Sequence, residues 1–336
     1  MVSATHDSTV TAVAHPNIAL IKYWGKRDEE YALPYSDSLS VTLDSYPTTT
    51  TVRTHAGTSD RLILNGAPAT GEALRRVQRF LELVRARTDR TEHVIVETVN
   101  TVPTGAGLAS SSSGFAALTL AAAGVYGLDS DPVALSALAR RGSGSACRSI
   151  YGGFSIWYAG TGQGAEGDRH SYARPLAASL DLALVIAVVE TSAKPISSRE
   201  AMRRTVATSP LYGSWLASSR HDLTALLAAI DHGDVEMLGE IAERNALGMH
   251  ATMLAARPAV RYLSGASHTV LDEVCALRRA GIGAYATVDA GPNVKVICRR
   301  SAAESVATAL RGLAVTREVI VTGPGPAAGI VEKEPR

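Results

Sequence analysis

The segment Pro103-Thr-Gly-Ala-Gly-Leu-Ala-Ser-Ser-Ser-Ser-Gly114 links a predicted strand to a predicted buried helix. Residues 93–99 alternate as a strand does, and residues 110–126 are small and apolar, as in a helix packed against a sheet. Gly105 and Gly107 let backbone N–H groups crowd together at the helix N-terminus, where unsatisfied donors favour an anion. The loop therefore predicts a phosphate site, or else a plain turn capped by serines. It lacks the Walker A and Rossmann patterns.

A second small-residue loop reads Gly142-Ser-Gly-Ser-Ala-Cys-Arg-Ser-Ile-Tyr-Gly-Gly153. Ser143, Ser145 and the backbone donors could face an anion, and Arg148 adds a planar fork that matches a carboxylate or phosphate. The alternative is a glycine turn with a surface arginine. Because two such loops occur in one chain, two anionic ligands are favoured. We expect Arg148 to lie in a flexible loop whose folding does not need it.

The segment Asn17-Ile-Ala-Leu-Ile-Lys-Tyr-Trp-Gly-Lys26 combines a buried strand pattern with two lysines. Lysines are seldom buried without a partner. Lys22 therefore either points into a polar pocket or ends an edge strand, and the segment alone favours the edge strand. Tyr23 and Trp24 suggest a walled pocket, although aromatic residues also simply pack.

The segment Tyr285-Ala-Thr-Val-Asp-Ala-Gly-Pro-Asn-Val-Lys295 places Asp289 at the end of an apolar strand. Taken alone, it favours a turn role, because Asp followed by Ala-Gly-Pro-Asn starts a turn well. An Asp facing Lys22 and Arg148 in a dry cleft would instead be held ionised and could accept a proton.

Outside these segments, hydrophobic periodicity predicts further elements. We expect Asp129 or Ser130 to cap a helix near residue 132, and the chain from residue 322 to be irregular. A strand-rich first part and a helix-rich second part predict an α+β protein of two lobes, 1–185 and 186–336, with a ligand cleft between them. The other strands are predicted at 9–13, 40–43, 48–52, 182–190, 284–288, 295–298 and 318–321, and the other helices at 73–87, 132–141, 197–207, 212–229, 235–256, 270–280 and 302–313.

The composition argues against several classes of protein. Thirty-three basic and 32 acidic side chains give a net charge of +1, which argues against a general binder of nucleic acid or anionic membranes. Cys147, Cys275 and Cys298 are an odd number without a C-x-x-C pair, which supports neither a disulfide framework nor a zinc site. The longest apolar runs, 118–125 and 182–189, are too short to span a bilayer. The first ten residues lack the apolar core of a signal peptide, so we expect a cytoplasmic protein.

Six segments in order resemble the diphosphomevalonate decarboxylases of the GHMP kinase superfamily. The resemblance implies a GHMP kinase fold, with an N-terminal lobe like ribosomal protein S5 domain 2 and a ferredoxin-like C-terminal lobe, in a homodimer. The segments are 17–26, Leu33-Pro34 with 38–43, 103–114, 142–153, Ser197-Ser198-Arg199 with Met202, and 289–293.

The resemblance also implies ATP- and Mg²⁺-dependent decarboxylation of 5-diphosphomevalonate to isopentenyl diphosphate. The family's Asp, Lys and Arg around the reacting carbon match Asp289, Lys22 and Arg148, with Asp289 as the proton acceptor. The expected substrate-binding residues are Asn17, Tyr23, Trp24, Lys26, Ser143, Gly144, Ser145, Arg148, Ser198, Arg199 and Met202. The expected ATP-binding residues are Asn100, Pro103, Gly105, Ala106, Gly107, Leu108, Ala109, Ser110, Ser111, Ser112 and Ser113, with Ser111 also a metal ligand.

The chain departs from the family pattern at three places. Asn100-Thr101-Val102-Pro103 stands where Asn-Asn-Phe-Pro is frequent, which leaves the adenine contacts open. Ser112 stands where Ala is common, and Lys194-Pro195 stands where a second Lys is common.

Three alternative functions follow from the same residues. A kinase of this superfamily would carry a Gly-Ala-Gly-Gly-Gly type motif where this chain has Asp289-Ala-Gly-Pro-Asn. A decarboxylase of the monophosphate is a nearer rival, although Lys26 and Arg199 favour the longer diphosphate. A non-catalytic sensor would have lost the acid or a phosphate loop, and the sequence keeps both.

Overall fold

The computed structural model describes residues 8–101, 110–129, 131–178, 180–191 and 196–331. Strands and helices alternate irregularly along these ranges, which confirms the predicted α+β class. The strands are β1 (Thr9–Ala14), β2 (Asn17–Ile21), β3 (Lys26–Asp28), β4 (Leu33–Pro34), β5 (Ser38–Thr42), β6 (Thr48–Thr54), β7 (Arg61–Leu64), β8 (Ala67–Ala69), β9 (Val94–Asn100), β10 (Phe154–Trp157), β11 (Ala173–Pro175), β12 (Leu182–Val188), β13 (Ala284–Val288), β14 (Val294–Arg299), β15 (Glu318–Thr322) and β16 (Gly329–Ile330). The α-helices are α1 (Gly71–Arg85), α2 (Ser110–Tyr126), α3 (Pro132–Gly142), α4 (Gly164–His170), α5 (Ser198–Thr208), α6 (Tyr212–Asp231), α7 (Val235–Leu254), α8 (Gly265–Arg279) and α9 (Ala303–Arg311).

The N-terminal lobe is built on a six-stranded sheet in the order β16-β1-β6-β9-β7-β8. Its β1, β6 and β9 pair antiparallel, whereas β7 and β9 run parallel. The apolar helix α2 packs across this sheet, and its Ala116, Ala117, Ala121 and Ala122 are fully buried. Small side chains let the helix approach the strands closely, as its sequence predicts.

Two four-stranded sheets join the lobes. One, in the order β11-β10-β5-β2, belongs to the N-terminal lobe, and the other, β13-β14-β12-β15, belongs to the C-terminal lobe. A single apolar cluster contains side chains of both, among them Ile18 and Val41 from the first and Leu184 and Ile186 from the second. Helices α6 and α7 complete it. The lobes therefore share a core, and the ends of β2 and β13 meet at their junction.

The C-terminal tail differs from the irregular segment that was predicted. Gly329–Ile330 forms β16, which pairs with Val13 and Ala12 of β1. Upstream, the backbone N–H of Gly325 donates to the Thr42 carbonyl at 2.8 Å. The tail leaves the C-terminal sheet and returns to the N-terminal one, so the described chain crosses between the lobes twice. Strand β12 spans residues 182–188, so the predicted boundary at 185/186 falls inside it. We propose a boundary before Leu182 instead.

Two local predictions need correction. Helix α3 is capped by Asp131, whose side chain accepts from the backbone N–H of Ala134 at 2.9 Å, and not by Asp129; Ser130 lies outside the described residues. Helix α8 begins at Gly265, five residues earlier than predicted, because Ser264 and Ser267 form a reciprocal capping box. Among the described helices, none is both long and apolar enough to cross a membrane.

Candidate active site

Asp289 lies directly after β13 at the junction of the lobes and is held by two lysines. The Lys22 ammonium is 2.6 Å from Oδ1, and the Lys295 ammonium is 3.3 Å from Oδ2. Burial alone would raise the pKa of Asp289, but these charges and hydrogen bonds outweigh it and hold the pKa well below its usual range. The Asp289 side chain is 31% exposed. It is therefore ionised and open to a ligand.

Lys22 directly follows β2, which is an edge strand of its sheet as the sequence predicts, and its side chain also lies in a polar pocket. It is 1% exposed, and its backbone N–H donates to the Asn245 side chain at 2.8 Å. Burial, and then the positive charges of Lys295 and Arg148, lower the pKa of Lys22, while Asp289 opposes them. Asn245 belongs to α7, so the C-terminal lobe fixes the end of β2 and sets the distance between Lys22 and Asp289.

Arg148 contradicts the prediction of a flexible loop. Residues Gly144–Ile150 form a 3-10 helix, and Arg148 is 2% exposed within it. Its Nε and Nη2 donate to Oδ1 of Asn17 at 3.3 and 3.2 Å, and Nη1 donates to the Ser38 hydroxyl. The guanidinium also lies over the Trp157 ring, 5.7 Å from its centroid. Arg148 is thus rigidly placed by packing, with donors left to orient an anion.

Asn17 connects the second loop to β2. Its Nδ2 donates to the Ser145 carbonyl at 3.0 Å and to the Ser149 hydroxyl at 2.8 Å. Its side-chain oxygen accepts the hydrogen bonds from Nε and Nη2 of Arg148. The side-chain polar atoms of Asn17 thus form hydrogen bonds with other residues of the protein, and Asn17 holds Arg148 in place. The predicted contact of Asn17 with the substrate stays a prediction.

A cluster of cations forms beside this centre, where α1, α5 and the start of β3 meet. Lys26 donates to Glu29 at 2.7 Å. Burial lowers the pKa of Lys26, and the nearby charges of Arg199 and Arg76 lower it further. Burial and Arg199 likewise lower the pKa of Arg76, to about 10. Three convergent cations with two nearby carboxylates, Glu29 and Glu72, leave an excess of positive charge that suits a multiply charged anion.

Tyr23 lines the same region. Its hydroxyl is buried and has no hydrogen-bond partner within the described part of the chain, and burial raises its pKa. A side chain at Gly144 would lie 2.9 Å from that hydroxyl, which explains the glycine. Gly25 has a φ of 96°, and a side chain there would strike Tyr212 at 2.3 Å. Both glycines bring backbone close to the site.

Some of the remaining predicted substrate-binding residues lie at the surface of the site, and others lie in the apolar cluster that packs beneath α5. Ser143, Gly144 and Ser145 are partly exposed, and Arg199 is exposed at the start of α5. Trp24 and Met202 instead belong to one apolar cluster that supports α5. Ser198 lies in the first turn of α5 and hydrogen-bonds to Tyr262.

The two small-residue loops meet at the start of α2. The Ser111 hydroxyl lies 3.2 Å from the Ser143 hydroxyl. Ser113 points into the core instead, with its hydroxyl 2.7 Å from that of Thr48, and Ser112 is fully buried. Asn100 ends β9 beside this helix. Pro103, Gly105, Ala106, Gly107, Leu108, Ala109 and Lys194-Pro195 lie outside the described residues, as does the side chain of Ser110.

Sequence reasoning missed Lys295 and Arg76. Lys295 follows Asp289 by six residues on the paired strand β14, where a lysine within Val-Lys-Val-Ile signals a buried charge that needs a partner. Arg76 lies within the predicted helix 73–87 without a local signal for a site, and only the packing of α1 against the second loop brings its Nη2 to 3.3 Å from the Gly142 carbonyl.

Comparisons with known proteins agree over almost the whole chain. Residues 14–173 match the family described as Diphosphomevalonate decarboxylase-like N-terminal domain, and residues 184–322 match Mevalonate 5-diphosphate decarboxylase C-terminal domain. The chain belongs to the diphosphomevalonate decarboxylase family. Its members include the Homo sapiens enzyme, 39% identical over 88% of this chain and 78% of its own length, and that of Aspergillus fumigatus, 36% identical over 93% and 82%.

Solved structures of this family share the fold, and confirm the two-lobed GHMP kinase architecture. The mevalonate diphosphate decarboxylase from Staphylococcus aureus superposes with a TM-score of 0.92 at 39% identity, covering 97% of this chain and 98% of its own. That of Enterococcus faecalis gives a TM-score of 0.90 at 42% identity, covering 97% and 99%. A structure described as MDDEF in complex with MVAPP, AMPPCP and magnesium gives the same values.

Proposed function

We propose that the Asp289 centre carries out ATP-dependent decarboxylation of (R)-5-diphosphomevalonate to isopentenyl diphosphate, ADP, phosphate and CO₂, a step of the mevalonate pathway. The observation that carries this proposal is the Lys22–Asp289 pair at 2.6 Å, with buried Arg148 beside it and the cation cluster nearby. Together they supply a proton acceptor, a carboxylate anchor and a diphosphate site. Membership in the decarboxylase family supports the same reaction.

The residues present fit ATP and Mg²⁺. The N-terminus of α2 supplies backbone donors and a partial positive charge for phosphates. The Ser111 hydroxyl, next to Ser143, offers a neutral oxygen of the kind that Mg²⁺ accepts. Bound Mg²⁺ would neutralise charge on the transferring phosphoryl group. In the described part of the chain, no cluster of three His, Cys, Asp or Glu side chains could hold a metal by itself. We therefore propose Ser111, together with nucleotide phosphates, as the metal site.

Asp289 would receive the proton of the substrate's tertiary hydroxyl. A carboxylate with a lowered pKa is a weak base, so it would not remove that proton in advance. As the oxygen bonds to phosphorus, its proton becomes strongly acidic, and even a weak base then accepts it. Asp289 thus orients the hydroxyl first and takes the proton late, which suits a loose phosphoryl-transfer transition state.

Arg148 and Lys22 would compensate the negative charges of the substrate carboxylate and of the phosphoryl group. Arg148 can bind the substrate carboxylate through N–H groups that Asn17 and Ser38 do not use. Phosphate then leaves C3, which becomes electron-poor. The C–C bond to the carboxylate breaks, CO₂ departs, and the bonding electrons form the new double bond. Lys22 would compensate negative charge on the phosphoryl group during transfer.

The experiment is incubation of the protein with ATP, Mg²⁺ and, separately, mevalonate, its monophosphate and its diphosphate. ADP, phosphate and CO₂ are measured together. We expect all three products in equal amounts with the diphosphate. ADP without CO₂ would indicate a kinase, and CO₂ mainly from the monophosphate would indicate the rival decarboxylase. Binding without any ADP release would indicate a sensor.

The homodimer implied by the family resemblance and the cytoplasmic location expected from the sequence remain proposals. We propose that the chain forms a homodimer and acts in the cytoplasm. Sedimentation equilibrium would test the dimer, because a monomer of 35.2 kDa and its dimer differ twofold in mass. Fractionation of cells that produce the native protein would test the compartment.

A further inference from the structure

The Asp289 carboxylate is compensated from both lobes. Lys22 follows β2 of the N-terminal lobe and contacts Oδ1, whereas Lys295 lies in β14 of the C-terminal lobe and contacts Oδ2. A single close cation would suffice to keep one carboxylate ionised. The second lysine therefore calls for a separate explanation.

Lys295 is anchored within the C-terminal sheet. It is 1% exposed, and its ammonium also donates to the Asn293 carbonyl at 3.2 Å. Asn293 is itself fixed, because its side-chain oxygen accepts from the backbone N–H groups of Val189 and Glu190 at 2.8 and 3.0 Å. A lysine enclosed in this way has little freedom to follow an incoming ligand.

Lys22 has a different environment. It lies close enough to Arg148 for that charge to lower its pKa. An anionic substrate drawn to Arg148 therefore comes near Lys22 as well and competes with Asp289 for its ammonium. If Lys22 were the sole compensating charge, this competition would raise the pKa of Asp289 at the moment when its ionised form is needed.

Resting on the decarboxylation proposed above, we propose that Lys295 is a positioning residue that keeps Asp289 ionised and oriented while Lys22 is shared with the substrate. Lys295 stabilises the carboxylate from the sheet side and touches neither substrate nor nucleotide. Lys22 is thereby free to act on the transferring phosphoryl group. This division of roles explains why two buried lysines meet one carboxylate.

Within the described part of the chain, the titratable groups that face Asp289 come from four elements. They are Lys22 after β2, Arg148 in the 3-10 helix, His250 in α7 and Lys295 in β14. His250 is buried, and its pKa is lowered to about 4, so it is neutral at ordinary assay pH. Because the pKa of Asp289 is also held below its usual range, its acid limb falls in the same acidic region as that of His250, and the infrared titration below separates the two groups.

The test compares Lys295→Met with the charge-conserving Lys295→Arg. We expect the acid limb of kcat/KM to move up by about 1–3 pH units in Lys295→Met, which is the effect of one close opposite charge on a carboxylate. Lys295→Arg should restore most of the wild-type profile. Thermal melts accompany both variants. If Lys295→Met loses its cooperative melt, Lys295→Gln carries the same test, because it can still donate to the Asn293 carbonyl.

A second measurement does not depend on the reaction. Infrared difference titration of the ligand-free protein reports the Asp289 carboxyl, identified by its loss in Asp289→Asn. We expect this carboxyl to titrate at higher pH in Lys295→Met than in wild type. Unchanged titration together with an unchanged pH–rate profile overturns the role of Lys295. Absence of CO₂ from wild type rejects the decarboxylase proposal instead, and the infrared titration still decides what Lys295 does.

Discussion

Asp289 combines an ionised carboxylate, an exposed edge and two buried countercharges. A turn residue needs none of these, although the backbone does turn here, with the Gly291 N–H 2.8 Å from the Asp289 carbonyl. Turn geometry and charge chemistry therefore occur in the same residue. The sequence segment favoured the turn alone, because Lys22 is 267 residues away along the chain.

Replacing Asp289 with Asn separates these two roles. Asn suits the same turn and has nearly the same size, but it removes the charge and the proton acceptor. We expect turnover to fall by about 10²- to 10⁴-fold, the range that general acid–base catalysis supplies, while ATP still binds. ADP release, a nucleotide titration and a thermal melt measure these effects. Near-normal turnover in a folded variant would exclude Asp289 as the proton acceptor.

Arg148→Ala should reduce both activity and stability. Its loss removes the proposed carboxylate anchor, so we expect turnover to fall by about 10²-fold or more. It also leaves the Asn17 and Ser38 oxygens buried without their donor, at about 1–3 kcal/mol each. A denaturant titration and a steady-state assay measure the two effects. Arg148→Lys keeps the charge without the fork and should recover stability better than turnover. A variant that is less stable but fully active would show that Arg148 is only structural.

Helices α1 and α5 and the start of β3 form the proposed diphosphate site together. Arg76, Arg199 and Lys26 come from these three elements. Their mutual influence on pKa indicates that they lie close together without enough carboxylates to neutralise them. A bound diphosphate would relieve this repulsion. In the substrate, the diphosphate group lies far from the reacting carbon. The contacts of the protein with this group therefore stabilise the ground state and the transition state equally.

Single alanine substitutions of Lys26, Arg76 or Arg199 should therefore raise KM for the diphosphate substrate with little change in kcat. A charged hydrogen bond contributes about 1.5–3 kcal/mol, so we expect roughly 10- to 100-fold in KM. The control is Arg203→Ala, an exposed arginine on α5 that pairs with Glu200. It should leave KM unchanged. A loss confined to kcat, or an equal effect of Arg203→Ala, would contradict the assignment.

The elements that the sequence predicts correctly are those with a strong local signal. The apolar run 110–126 and the strand 284–288 have the predicted bounds, because burial on all sides needs a continuous apolar sequence. Strand β16 was missed because it is only two residues long, Gly329 and Ile330. Its hydrogen-bonded partner is β1, more than 300 residues away in the sequence. The rigidity of Arg148 was missed for the same reason, since Asn17 and Ser38 are distant in sequence.

The whole molecule behaves as one packed unit at the site. The sheet containing β2 and the sheet containing β12 share an apolar cluster, and the tail ties the end of the C-terminal lobe back to β1. Lys22 and Asp289 come from opposite sides of this junction. Their distance therefore depends on the shared core, and any condition that loosens the core separates the pair.

Acid is such a condition, and His250 makes its effect predictable. His250 is 3% exposed on α7, and burial together with Lys22 lowers its pKa from 6.5 to about 4. Between these values the unfolded chain binds a proton that the folded chain does not. Stability therefore falls as the pH drops through this window, and the full difference is about 3 kcal/mol below pH 4.

His250→Gln removes this titration and keeps an N–H donor for the Val288 carbonyl, which lies 3.3 Å from Nε2 of His250. We expect the free energy of unfolding of wild type to decrease more steeply than that of His250→Gln between pH 6.5 and 4, by up to about 3 kcal/mol. Urea titrations at several pH values measure it. The exposed His221 on α6 provides the control, and His221→Gln should follow wild type. Parallel pH dependence of wild type and His250→Gln would mean that His250 takes up its proton equally in the folded and unfolded states. The junction would then owe its acid sensitivity to other groups.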